Sequence, residues 1–489
     1  MAMSIEASES VGDAAVSQKK LSGNMGALSL AMTVLAFSAP LTTVAGYIPV
    51  SLMFGGVASP LLFVVVAAVM LLFGIGYITL NNMVRRSGDF YSFITYGLGK
   101  SAGLGAGLTA AVSYFVLLAG ITSYFGVACS DFHRSLTGSA FPWYFYSLTC
   151  WVIVGILGYL HVELSAKVLL WVMLSEIVVC LGFAFGVLSI GGDTGMAASA
   201  PFSPSELSKE GVNIPFAMLF AVSFFMGFEA TALYRDEVRD PDKTIRRATY
   251  GSIIFIGAMY TICAYALVTA YGESVQQIAT DSPASMFSLA FSKYIDGRFQ
   301  VIVTILVLTS AFASALSTHN VLSRYLFNLG TDRALPKFLS RIHVKHSSPF
   351  AASMSVSTMV LCVLMPFIVI GAKPELLYGQ LSGVGTSGVI ILMAVVNLSA
   401  LTWYVRKGRH GGVSFAKAFL APIISGVFFV GLVTLVAYHF DLLVGGEPGE
   451  RTWMLLCLIG VLIAGMGLAQ YFKAMRPEVY ERLGRNPAA

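Results

Sequence analysis

Long apolar runs separated by short polar connections make up most of the chain. A run needs about 20 apolar residues to cross a ~30 Å hydrocarbon core, and twelve qualify. They lie at approximately 27–50, 58–82, 102–129, 141–160, 164–190, 213–234, 249–271, 299–328, 351–370, 376–401, 416–440 and 452–473. The pattern predicts an all-α polytopic membrane protein of twelve transmembrane helices, with polar tails at 1–26 and 474–489. Met1 to Asn24 contain no apolar h-region, so no cleavable signal peptide is expected, and the N-terminus is expected in the cytoplasm.

Composition agrees with the pattern. Of 489 residues, 56% are hydrophobic and only 11% charged, and mean hydropathy is +0.78. A soluble domain carries about a quarter charged residues, so these charges cannot coat several soluble domains. A net charge of +5 over this length, with no recurring basic face, argues against nucleic acid as a partner and leaves the lipid bilayer as the main one.

The placement of Lys and Arg supplies an orientation, because short cytoplasmic loops are enriched in both. With both tails inside, the inner segments hold 23 of the 30, including Arg85, Arg86, Arg235, Arg239, Arg324, Arg333 and Arg406. The outer loops hold Arg134, Lys209, Lys293, Arg298, Lys373 and Arg451, and Lys167 is left inside a hydrophobic run. An odd number of spans would destroy this asymmetry. The expected location is the plasma (inner) membrane, multi-pass, with both termini cytoplasmic.

Apparent catalytic motifs fail on context. Gly99-Lys100-Ser101 lacks the glycine that a phosphate loop needs at position 94, which is Ile94. Gly383-Val384-Gly385-Thr386-Ser387-Gly388 spells GxGxxG inside an apolar run, without the βαβ unit the motif requires; close helix packing or a local break explains it better. The six cysteines, Cys129, Cys150, Cys180, Cys263, Cys362 and Cys457, show no CxxC spacing and read as small core residues rather than zinc ligands. No HExxH is present. The expectation is that the chain is not an enzyme and needs no cofactor or metal, H+ being the suspected coupling ion.

Two runs are interrupted. The first contains Ser38-Ala39-Pro40-Leu41-Thr42-Thr43, with Gly46 and Pro49 following. Pro40 lacks an amide and clashes with the carbonyl four residues earlier, so this stretch is either a kink or a ligand-binding break, since freed backbone groups in a membrane need protein, water or ligand partners. The sixth run contains Phe224-Phe225-Met226-Gly227-Phe228-Glu229. Here a helix-weakening glycine precedes a carboxylate at a depth where a charge costs about 2.5–3.5 kcal/mol. Interrupted segments at corresponding places in two halves point to a transporter's substrate site. Glu229 reads either as a contact for a cationic substrate or proton, or as a structural or gating group. Lys167 reads as a snorkelling side chain or as a buried group that changes protonation. Glu176 lies nine residues from Lys167 and so on nearly the opposite helix face.

At these residues a resemblance emerges. Gly227-Phe228-Glu229-Ala230-Thr231, followed by Asp236-Glu237-Val238-Arg239-Asp240-Pro241-Asp242-Lys243-Thr244-Ile245-Arg246-Arg247-Ala248, resembles the sixth helix and next loop of permeases of the amino acid–polyamine–organocation superfamily. Thr318-His319-Asn320-Val321-Leu322-Ser323-Arg324-Tyr325 with Asp332-Arg333-Ala334-Leu335-Pro336 is similar to the end of their eighth helix. The resemblance implies a leucine-transporter-like fold: a first inverted repeat over 27–190, a second over 213–401, and two further helices over 416–473. It implies a substrate site at Ala39, Pro40, Leu41, Thr42 and Thr43 with Phe224, Phe225, Met226, Gly227 and Phe228. The substrate carboxylate would meet free amides of the first break, and its amino group the carbonyls of both breaks. This chain has Ala39-Pro40-Leu41 where many members carry a GSG-type sequence, and Ser223 where members handling arginine or polyamines often carry tryptophan. The resemblance also assigns Lys167 to the place where sodium-coupled relatives bind an ion, and makes Lys167 and Glu229 the proton-coupling or gating pair.

The expected function is secondary transport of amino acids or related amines, proton-coupled or sodium-independent. A polyamine or organic-amine exchanger is the alternative, with a non-transporting sensor or channel behind it. The substrate itself and the oligomeric state stay open. The connection from Arg235 to Arg247 reads as solvated, and the stretch from Ser285 to Phe291 as a short surface helix over an outer vestibule.

Overall fold

A computed structural model of the chain describes residues 24–160, 162–192, 198–343, 346, 348–371, 374–406 and 413–484, with backbone only for 162–169 and 374–376. In chain order the principal helices are α1 (Ala27–Leu35), α2 (Ile48–Gly55), α3 (Ser59–Val84), α4 (Asp89–Leu98), α5 (Lys100–Thr137), α6 (Trp143–Tyr159), α7 (Val162–Ile190), α8 (Ile214–Ser223) and α9 (Pro241–Tyr271). There follow α10 (Val275–Asp281), α11 (Pro283–Phe291), α12 (Gln300–Thr331), α13 (Phe350–Val369), α14 (Pro374–Arg406), α15 (Ala421–Leu443), α16 (Thr452–Met475) and α17 (Pro477–Arg482). No strand occurs among the described residues; one isolated backbone bridge joins Met25 to Val238.

Among the described residues ten helical stretches are long and apolar enough to cross a membrane. The first, Ala27–Val84, contains two of the apolar runs, and α6 is a shorter apolar helix of 17 residues. The protein is therefore a multi-pass helical membrane protein. Exposed Leu, Ile, Val and Phe side chains on α7, α13, α15 and α16 are what a lipid-facing surface requires.

Helix α5 is the central post, packed against α12, α14 and α16, while α1 packs on α7 and α9. Close approach is made by small residues, as in membrane helices generally. A Cβ added at Gly385 would lie 2.8 Å from the Ser113 carbonyl oxygen, and one at Gly383 would lie 2.8 Å from Val444 Cγ1. The GxGxxG string thus sits in the unbroken helix α14 and serves packing. Cys129 and Cys150 are free thiols.

Candidate functional site

The first span breaks where Pro40 predicts. Helix α1 tightens into a 3₁₀ turn at Ala36–Ser38, Ala39 adopts φ 44°, ψ 69°, and a new helical start follows with Pro40 in its first turn. Proline is suited to that position because its missing N–H has no intrahelical partner there anyway. Turns of α- and π-type over 40–47 then lead into α2. A break, and not a simple kink, results.

The sixth span breaks where Gly227 predicts. Helix α8 starts on the Asn213 side chain, whose Oδ1 accepts from the Phe216 amide at 3.3 Å, and ends at Ser223. Gly227 stands at φ 110°, a region that an L side chain rarely enters. A 3₁₀ helix, Phe228–Glu237, follows.

The two breaks lie side by side. Phe37, Ser38, Ala39, Thr42, Thr43, Ser223, Phe224 and Met226 line a chamber of about 90 Å³, closed around by Leu117, Ile121, Tyr124, Ala311, Ser314, Ser382 and Thr386. A larger cavity of about 490 Å³ adjoins it, lined by residues of α11, α12 and α14 among others. Thr42, Tyr47, Tyr124, Ser223, Ser382 and Thr386 belong to both walls and form the neck between them. Helix α11, expected from the run at Ser285, contributes Pro283, Ala284, Phe287 and Ser288 to the outer cavity.

Of the residues expected to bind substrate, Ala39, Thr42, Thr43, Phe224 and Met226 line the chamber. Pro40, Leu41, Phe225, Gly227 and Phe228 are not in its wall. Phe228 packs edge-on against Phe73 and Tyr77, and Gly227 fits against Phe37, where an added Cβ would lie 2.7 Å from the Phe37 Cβ. The Tyr47–Tyr124 neck escaped sequence reasoning because it forms only when α5 meets the first break.

The expectation of free amides at the first break is overturned. Leu41 N–H donates to Glu176 Oε2 at 3.2 Å, Thr42 N–H to Ser310 Oγ at 3.3 Å, and Thr43 N–H to the Ala39 carbonyl at 2.8 Å. Ser310 Oγ in turn donates to Glu176 Oε2 at 2.7 Å. Glu176 is fully buried, and its Oε1 has no hydrogen-bond partner. A carboxylate at a helix N-terminus is electrostatically well placed, which explains its position.

Glu229 occupies the second break in the same way. Its Oε2 accepts from the Gly227 amide at 2.8 Å and its Oε1 from the Tyr114 hydroxyl at 2.6 Å. Lys167 belongs to α7, and its side chain lies outside the described residues.

At the Lys/Arg-rich end the helices are clamped together. Arg324 is bound to Glu237, Arg86 to Asp332, and Asp89 accepts from Tyr77 and Tyr325, both at 2.8 Å. Backbone bonds from Met25 to Glu237 (3.2 Å) and from Arg239 to Met25 (3.0 Å) tie the start of the first span to the end of the sixth. Burial pushes the Asp332 carboxyl above the usual range, with the Arg86 guanidinium opposing the shift. Arg235 and Glu237 are buried, so this part of the supposed solvated connection is instead interior.

Two interrupted helices meeting at a chamber inside a multi-pass bundle define a membrane protein built around a small-molecule site. The chain belongs to the amino acid permease family, whose model matches residues 28–463. It is 26% identical over 247 residues to a protein of Mycobacterium tuberculosis named as an uncharacterized transporter, covering 50% of this chain and 48% of that one. A second uncharacterized transporter of the same organism is 21% identical over 444 residues, 85% and 87% of the two chains. The branched-chain amino acid permease BcaP of Lactococcus lactis is 24% identical over 372 residues, 73% of this chain and 77% of that one. The chain spans about half the length of the first of these curated relatives.

Proposed function

We propose that this protein is a secondary active transporter for amino acids or related amines, working by alternating access around the two broken helices. The observation that carries this reading is the chamber between the breaks, continuous through a tyrosine-lined neck with a vestibule on one side and backed by buried ion pairs at the opposite, Lys/Arg-rich end. Such an arrangement fits an outward-facing state if the Lys/Arg-rich end is cytoplasmic. In this reading twelve spans form two inverted five-helix repeats and two further helices, with both termini in the cytoplasm of a cell whose plasma (inner) membrane holds the protein.

Coupling is assigned to protons, with Lys167 as the group that changes protonation and Glu229 as the link between the sixth helix and α5. One charge moving through 100 mV yields about 2.3 kcal/mol, which supports roughly 50-fold accumulation at 1.4 kcal/mol per decade. The test is uptake of labelled leucine and of its decarboxylated counterpart isopentylamine into proteoliposomes under imposed proton or sodium gradients. Accumulation driven by the proton gradient and indifferent to sodium is the expected result; sodium-driven accumulation contradicts the coupling assignment.

A further inference from the structure

We infer that the chamber selects a cationic amine without a carboxylate over the corresponding α-amino acid. This deepens the transport reading and rests on it. An α-amino acid needs two opposite subsites: donors for its carboxylate and acceptors for its ammonium group. The chamber offers the second and, for the first, only neutral hydroxyls.

The amide donors of the breaks that face the chamber are spent inside the protein. At the first break Pro40 has no N–H, and the amides of Leu41, Thr42 and Thr43 are held by Glu176, Ser310 and Ala39. At the second, the Phe224, Phe225 and Met226 amides donate back to Ala221, Val222 and Ser223, and the Gly227 amide donates to Glu229. Each break is thus already occupied by a carboxylate belonging to the protein.

The hydroxyls nearest the breaks are also committed. Thr42 Oγ1 donates to the Val307 carbonyl (3.2 Å), Thr43 Oγ1 to that of Ser38 (2.6 Å), Ser223 to that of Phe220 (2.6 Å) and Ser314 to that of Phe37 (2.8 Å). Ser38 is paired with Tyr260. Among the described residues, no Lys, Arg or His lines either the chamber or the vestibule. A substrate carboxylate would meet no cation among the described residues, and the donors left to it are neutral hydroxyls at the neck. Burying an ionised group without such partners is strongly unfavourable.

Acceptors, by contrast, remain. No backbone hydrogen bond from the described residues reaches the carbonyls of Phe224, Phe225 and Met226, at the negative end of α8. Phe37, Tyr47, Tyr124 and Phe224 bring aromatic rings to the same wall, and ring faces attract an ammonium group. The unpartnered Oε1 of Glu176 behind the first break adds to a field that favours a cation.

The experiment compares matched pairs by calorimetry on the purified full chain: leucine with isopentylamine, and phenylalanine with phenethylamine, each repeated on Glu176→Ala and Ser310→Ala. In the unaltered protein each amine is expected to bind at least tenfold more tightly than its parent amino acid. Freeing the Leu41 or Thr42 amide is expected to shrink that ratio by improving amino-acid binding. Equal or tighter binding of the amino acids to the unaltered protein overturns the inference while leaving the transport reading intact. If neither member of either pair binds or drives counterflow, the transport reading falls with it. The comparison on the unaltered protein stands even where a variant fails to fold.

Discussion

Arg324 grips Glu237 through two parallel bonds, Nε to Oε1 and Nη2 to Oε2, each 2.7 Å. The pair is almost wholly buried, and the guanidinium also lies 4.0 Å above the Tyr234 ring and donates to the Asn320 carbonyl at 2.9 Å. It joins α12 to the end of the sixth span at the Lys/Arg-rich end.

Removing one partner strands the other. Arg324→Met leaves the Glu237 carboxylate buried and uncompensated, and a loss of about 3–5 kcal/mol is expected. The Arg324→Met, Glu237→Met double variant should recover most of it, because an apolar pair of similar volume costs little. Thermal unfolding of the four proteins in detergent checks this; a double-variant loss equal to the sum of the two single losses would mean that the pair is not energetically coupled.

Gly227→Ala should be among the most damaging single-methyl additions in the chain. The backbone stands at φ 110°, and the new Cβ would meet Phe37 Cβ at 2.7 Å and the Val34 carbonyl oxygen at 2.9 Å. Strain of about 1–3 kcal/mol is expected, together with reduced transport. Alanine at Gly251, inside α9, where an added Cβ meets nothing within 4 Å, is the control and should not destabilise.

Glu229→Gln keeps one acceptor oxygen where the carboxylate serves both the Gly227 amide and the Tyr114 hydroxyl. One of those donors loses its partner, and a cost of about 1–3 kcal/mol follows. If the glutamate is a gating group, substrate preference is unchanged while the response of uptake to pH is altered; lost selectivity for cations would assign it to substrate contact instead.

Lys167→Ala is expected to abolish accumulation while the protein still folds and binds substrate. Uptake into proteoliposomes with a pH gradient, beside thermal unfolding of the same preparation, separates the two effects. Full accumulation with unchanged pH dependence would remove Lys167 from the coupling mechanism.

The features legible in the sequence are those with local rules. Pro40 and Gly227 carry their backbone consequences with them, and both breaks stand where those residues put them. The apolar runs gave the helices for the same reason. Glu176 was not legible as a site residue, since its partner, the Leu41 amide, is 135 positions away; a helical-face comparison with Lys167 tests only its own helix. Arg235 and Glu237 were misread because a charged connection next to Asp-Pro-Asp looks solvated, and only the arrival of Arg324 on α12 makes a buried carboxylate there tolerable. Spacing alone also cannot show that the first break's amides are filled, which depends on α7 and α12 reaching it together.

Counterflow tests the central claim most directly. Vesicles containing the purified protein are preloaded with unlabelled isopentylamine or leucine and diluted into a trace of the same compound in labelled form. Alternating access predicts a transient concentration of label inside that decays as the gradient dissipates. Binding without any such overshoot, or flux with the conductance of an open pore, would contradict it.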